Sequence, residues 1–163
     1  MLGELVEDPD SVENEDIYSV KGMELLPITT VLQNAKHRSQ TEDCFDDLSG
    51  VFEVLSGEEF IGYEIHNGIS IPTSKVSASD LFEHDEEGEI ILVQRENVLG
   101  TYVHGVFDNN DLALRLVQSL AEAKGTKLEA TMDYQAFKED EYDKLADIVR
   151  NNLDMDLIYS ILK

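Results

Sequence analysis

The chain has 163 residues, and its 12 Lys and Arg against 35 Asp and Glu give a net charge of −23. This excludes nucleic acid as a partner and disfavours anionic membranes, because both draw their affinity from Lys and Arg, and the nearest basic cluster here is Lys36, His37 and Arg38. At 42% hydrophobic, with 3 Pro and 10 Gly, the composition is that of a folded globular chain, with one domain expected over residues 1–163.

Residues 1–6 read as the tail of a helix with no capping residue before it and no strand feeding it, so the chain starts as if inside a larger fold. Short β-type runs follow at residues 22–32, 51–55, 60–66, 89–95 and 98–104, and Glu96-Asn97 joins the last two by a two-residue hairpin connection. Beyond residue 108 the period becomes helical. Asn109 or Asn110 is placed to cap a segment whose Ala113, Leu116, Val117 and Leu120 fall at i, i+3, i+4 and i+7, and Lys124-Gly125 ends it. A second helix is expected over residues 133–152, with Tyr142, Leu145, Ala146, Val149 and Leu153 on one face. A third, opening at Asp154 or Asp156, is expected to bury Leu157, Ile158, Ile161 and Leu162. Strands followed by helices, without repeats or Pro/Ser-rich linkers, indicate an α/β layered domain.

Cys44 is the only cysteine, so no internal disulfide forms, and a reducing, cytoplasmic setting is expected, with neither a signal peptide nor a membrane span. The thiol stands in Thr41-Glu42-Asp43-Cys44-Phe45-Asp46-Asp47, where four carboxylates oppose a thiolate, and it is expected to be chemically idle. The acidic runs at residues 13–16, 42–47, 83–89 and 139–143 read as solvated surface. Four histidines, at 37, 66, 84 and 104, show no i, i+3 or i, i+4 ligand spacing, so no metal is expected. His37 and His84 sit in polar, loop-like surroundings and receive no role. His66 and His104 each stand where an apolar strand gives way to glycine. His104 can serve as a general base at a strand end or be a hydrogen-bonded structural residue, and His66 has the same two readings. No G-x-x-x-x-G-K-[ST] or G-x-G-x-x-G occurs, so the chain has no phosphate loop of its own for ATP.

Gly62-Tyr63-Glu64-Ile65-His66-Asn67-Gly68, followed by Gly100-Thr101-Tyr102-Val103-His104-Gly105-Val106-Phe107-Asp108-Asn109, resembles the C-terminal glutamine amidotransferase domain of the cobyric acid synthases. Met1-Leu2-Gly3 with Glu7-Asp8-Pro9, Gly22-Met23-Glu24-Leu25-Leu26-Pro27 with Thr29-Thr30-Val31-Leu32, and Tyr142 to Asp147 through Leu153-Asp154-Met155-Asp156 extend the resemblance over nearly the whole chain. It implies a flavodoxin-like class I amidotransferase domain, the C-terminal portion of one, with a mixed sheet and flanking helices. It also implies a cysteine that attacks the side-chain amide of glutamine. His104 matches the family's catalytic histidine, and Tyr63, Glu64, His66 and Gly105 are its expected active-site neighbours. Many class I relatives carry Glu two residues after this histidine. Val106 stands there instead, as in cobyric-type members.

The family's G-x-C-G-G-Y-Q-type nucleophile turn is not in the sequence, and Met1 corresponds to a position about five residues beyond its cysteine. The resemblance therefore implies a C-terminal fragment that is inactive alone. In the full enzyme, an ATP- and Mg-dependent synthetase domain uses the ammonia to amidate peripheral carboxylates of a corrinoid, adenosylcobyrinic acid a,c-diamide, on the route to cobalamin. Strands lost from the sheet would leave an edge open to homodimer formation. The alternatives are a sibling amidotransferase, either cobyrinic acid a,c-diamide synthase or the glutaminase of lipid II amidation, and a non-catalytic interaction module that keeps the fold.

Overall fold

The computed structural model describes residues 1–108, 110–128 and 133–161. They form two compact units, residues 1–127 and 128–163. The first is built on two sheets. A five-stranded mixed sheet contains β1 (Leu5–Glu7), β2 (Ser19–Lys21), β3 (Ile28–Cys44), β4 (Glu59–Pro72) and β8 (Val103–His104) in the order β2-β1-β3-β4-β8. Only β1 and β3 run parallel, and the other pairs are antiparallel. A three-stranded antiparallel sheet contains β5 (Leu81–His84), β6 (Ile90–Arg95) and β7 (Val98–Thr101).

Residues 1–6 are extended rather than helical. The carbonyls of Met1, Leu2 and Gly3 accept bonds from the amides of residues 23–26, and Leu5 pairs with Thr29 on β3. Those same bonds hold residues 22–27 in an irregular turn, so the strand expected from residue 22 begins at Ile28. It then continues far beyond residue 32 through a polar stretch, because β4 supplies its ladder as far as Cys44. The run at 51–55 is a 3-10 helix, Gly50–Leu55, instead of a strand. Its entry Gly50 has φ +61, a left-handed conformation suited to glycine, and Leu55 fills the core completely.

The Glu96-Asn97 hairpin forms as the sequence indicates, with Arg95 opposite Val98. The run at 98–104 breaks at Tyr102, where the chain leaves one sheet for the other. Thr101 bridges this jog, its Oγ1 donating to the Ile91 carbonyl and accepting from the Val103 amide. β6 is buried along almost its whole length. It contributes Ile91 and Leu92 to a cluster with Phe45, Leu55, Phe60, Val103 and Leu112, and Ile90 and Val93 to a second with Leu26 and Ile28. Such a strand, covered on both faces, reads as a continuous apolar run.

Helix α1 (Asn110–Ala123) follows a 3-10 turn at Val106–Asp108. Its inward stripe is Leu112 and Leu116 with Ser119, whose Oγ donates to the Val51 carbonyl, whereas Val117 and Leu120 face solvent. The expected stripe is thus rotated, because Leu112 provides the buried anchor. Of the two candidate caps, Asn109 lies outside the described residues and Asn110 opens the helix. The helix stops as expected. Gly125 takes φ +65, its amide donates to the Glu122 carbonyl, and Thr126 donates to that of Ala121, a Schellman closure.

In the second unit, α2 (Tyr134–Asn152) is capped by Asp133, which accepts from the Ala136 amide. Asp154 accepts from the Leu157 amide at the start of α3 (Met155–Ile161). Of the face expected on α2, Tyr142, Leu145 and Leu153 are more than half exposed. Of the residues expected to be buried on α3, Leu157 and Ile161 are more than half exposed, Ile158 is half-buried, and Leu162 lies outside the described residues. No helix among the described residues is long and apolar enough to cross a membrane.

Candidate functional site

Alternate residues of a strand point to opposite faces of its sheet. On β4 the two faces carry different chemistry. Ile61, Tyr63 and Ile65 lie exposed on one face, while Phe60, Gly62 and Glu64 are buried on the other. Pairing extends the division to the neighbouring strands: Tyr63 stands opposite His104 on β8 and Gln40 on β3, and Glu64 opposite Val103 and Ser39.

On the open face, the rings of Tyr63 and His104 stack with centroids 5.2 Å apart and planes 15° from parallel. His104 is the last residue of its strand and its side chain is exposed. A solvent-accessible imidazole at a strand end, held on one side by an aromatic ring, can exchange protons with a ligand. Gly105 follows with φ +82, which lets the chain turn sharply into the Val106–Asp108 turn, where the Asp108 amide donates to the Gly105 carbonyl. Val106 is buried in the main core, so the position two residues after His104 offers packing and no carboxylate.

Gly62 explains how β8 comes so close. A Cβ there would run into the His104 carbonyl and the Val103 side chain.

Behind this face lies a second group. Glu64 is 2% exposed, and its Oε1 accepts from Thr41 Oγ1 at 2.7 Å and from Ser39 Oγ at 3.5 Å. Its Oε2 lies 3.2 Å from His66 Nε2, and His66 Nδ1 donates to the Gly68 carbonyl at 2.8 Å. The His66 ring is layered between Tyr102, with centroids 4.2 Å apart, and His37, at 5.0 Å. Tyr102 in turn meets Ser70 Oγ through its hydroxyl, at the wall of an inter-sheet cavity of about 140 Å³ bounded by Leu2, Leu26, Thr30 and Val93.

Of the residues singled out from the sequence, then, Tyr63 and Gly105 adjoin His104, whereas Glu64 and His66 sit on the opposite face of the sheet. His37, which received no role, pairs directly with His66 across β3 and β4. Donor atoms of His37, Glu64 and His66 all lie within 4.8 Å of one another. Helical spacing could not reveal this set, because it is assembled from i, i+2 on one strand and a register partner on the next. His84 ends β5 in an exposed position. Cys44 ends β3, also exposed. It lies four residues from Gln40, about 13 Å along the strand, and Tyr63 and then β8 lie beyond Gln40, so its thiol is out of reach of His104.

The chain belongs to the CobB/CobQ-like glutamine amidotransferase domain family, which it matches over residues 1–112. It is 37% identical over 175 aligned residues to the cobyric acid synthase of Lachnoclostridium phytofermentans, covering 100% of this chain and 34% of that protein. It is 37% identical over 169 residues to that of Ruminiclostridium cellulolyticum, with 100% and 32% covered, and 39% identical over 163 residues to that of Bacteroides fragilis, with 99% and 30% covered. The chain thus spans about a third of the length of the curated relatives it matches.

Proposed function

We propose that the chain supplies the histidine half of a glutamine amidotransferase centre that serves cobyric acid synthesis, with His104 as the proton-transfer residue. The observation that carries this reading is the placement of His104: exposed, at the end of β8, stacked on Tyr63 and followed by the left-handed Gly105. In the reaction, a cysteine thiolate attacks the side-chain amide carbon of glutamine and His104 passes a proton to the departing ammonia. Water, deprotonated by the same imidazole, then cleaves the thioester to release glutamate. Tyr63 positions the ring, and Gly105 leaves its approach clear.

Within these 163 residues the only thiol is Cys44, set apart from His104 and beside Asp43, Asp46 and Asp47. We therefore propose that the chain alone does not hydrolyse glutamine, and that the nucleophile belongs to a segment outside it. The released ammonia would amidate peripheral carboxylates of adenosylcobyrinic acid a,c-diamide in an ATP- and Mg-dependent partner domain. The cavities around His37 do not suit ATP: they are lined by Asp85, Glu86 and Glu87, which repel phosphate, with only Lys36 to oppose them. Self-association is also part of this proposal. The five-stranded sheet ends in β2 and β8, and a strictly monomeric elution profile at all concentrations would refute it.

Ammonia release is the test. The chain should give no glutamine-dependent ammonia above the buffer blank. Mixed with the remaining N-terminal two-thirds of the Lachnoclostridium phytofermentans enzyme, it should gain an activity that His104→Ala abolishes and Cys44→Ser leaves intact. Turnover by the chain alone that depends on His104, or complementation that survives His104→Ala, would overturn the reading.

A further inference from the structure

We propose that His37, Glu64 and His66 form a binding site for a divalent first-row transition ion, with zinc the best match. The argument starts from the geometry at His66. Nδ1 donates to the Gly68 carbonyl at 2.8 Å, which leaves Nε2 aimed at the Glu64 carboxylate 3.2 Å away, with the His37 ring stacked alongside. This arrangement suits a metal ion.

Four features support that preference. A histidine ligand whose second nitrogen donates to a backbone carbonyl is the usual outer-shell arrangement of a bound metal, since it fixes both the tautomer and the ring plane. Glu64 is likewise held from behind, with Oε1 occupied by Thr41 and Ser39 and Oε2 aimed at the cluster. Two imidazoles and one carboxylate are the donor set of open, four-coordinate zinc, whereas magnesium prefers oxygen alone. The approach is negative: cavities of about 230 and 340 Å³ border His37, and Asp85, Glu86, Glu87 and Glu89 line them.

Distances agree. Ligands of one tetrahedral zinc ion lie about 3.4 Å apart when the bonds are about 2.0–2.2 Å. Glu64 and His66 already stand at 3.2 Å, and the whole set lies within 4.8 Å, so a remaining closure of up to about 1.4 Å falls to His37. That residue is well placed to move. It is half-buried, it follows the register slip between Leu32 and His37, and its ring is tied only to Ser39 Oγ and the His66 stack. The cavities that border His37 also reach the 85–89 turn, where water or a carboxylate is available to complete the shell.

Zinc titration of the full chain by calorimetry tests this, in excess Mg²⁺ and Ca²⁺ to occupy the exposed carboxylates. The expected result is one zinc per chain, weakened at least about tenfold by His37→Ala and by His66→Ala, and unchanged by His84→Ala or Cys44→Ser. Cobalt in place of zinc should give visible absorption bands of tetrahedral strength that the two cluster variants lose. Glu64→Gln is also expected to abolish binding, but because Glu64 is buried its variant is read only if circular dichroism shows it folded. His37→Ala, at a half-buried site, keeps the test decisive. No binding in the presence of the competing ions, or binding that His37→Ala leaves unchanged, would overturn the site.

Discussion

Glu83 on β5 is a carboxylate that folding should make hard to ionise. It is 6% exposed and its Oε1 accepts one bond, from the Asp46 amide at 2.8 Å. Burial pushes its pKa from 4.5 up to about 7; the Asp46 amide pulls it down, and the charges of Asp46 and Asp43 add to the rise. The folded protein therefore holds this proton more tightly than the unfolded chain does. Stability from the protonated group is fully present below about pH 4.5 and is lost as pH rises through about 7. A displacement of this size corresponds to an upper limit of about 3 kcal/mol, at about 1.4 kcal/mol per pH unit. Glu83→Gln removes the titration and keeps the oxygen that receives the Asp46 amide. Urea unfolding of both proteins at about pH 5 and about pH 8 isolates the effect, because the other carboxylates are common to the two. The variant should gain on the parent by up to about 2.5 kcal/mol between the two conditions. An equal stability difference at both would show that Glu83 titrates like an exposed carboxylate, and would refute the burial argument.

Two more substitutions probe the frame of the site. Gln94 is buried and ties β6 to Ser49, its Oε1 accepting from the Ser49 amide and its Nε2 donating to Ser49 and to the Glu96 carbonyl. Gln94→Leu should cost about 2–4 kcal/mol by stranding those groups, and a loss below about 1 kcal/mol in urea titration would contradict it. Gly62→Ala should cost about 1–3 kcal/mol by overpacking against β8 and should shift the amide resonances of Val103 and His104; unchanged stability and spectra would show that β8 does not depend on that close approach.

The sequence conveyed those parts of the fold that local chemistry decides. Glu96-Asn97 marked the β6–β7 hairpin because a two-residue connection leaves little choice of register. Lys124-Gly125 marked the end of α1 because the left-handed closure favours glycine. Residues 51–55 were misjudged because a short apolar run has no period to separate a strand from a 3-10 helix. The long polar part of β3 was invisible for a different reason, since its ladder from His37 to Cys44 is supplied by pairing with β4. At the site, His104 and Tyr63 were legible together through their glycine-flanked motifs. The His37 cluster was not, because it depends on a register slip between Leu32 and His37 that no local pattern announces.

The segment Gly62-Tyr63-Glu64-Ile65-His66-Asn67-Gly68 can now be read residue by residue as one strand serving two faces. Gly62 admits β8, Tyr63 meets the His104 ring, Glu64 and His66 turn inward to each other, and Gly68 lets Thr30 pack close while its carbonyl orients His66. The glutamine chemistry proposed for the open face draws on Tyr63 and on His104 of β8, together with a cysteine from outside the chain. Nothing in that requirement calls for a buried, hydrogen-bonded Glu–His pair on the reverse side, where an apolar pair would fill the same space without desolvating charge. The inner half of the motif therefore asks for an explanation on the inner face. A cation bound between β3 and β4 provides that explanation, because it would pin the irregular stretch of β3 to the strand that carries Tyr63.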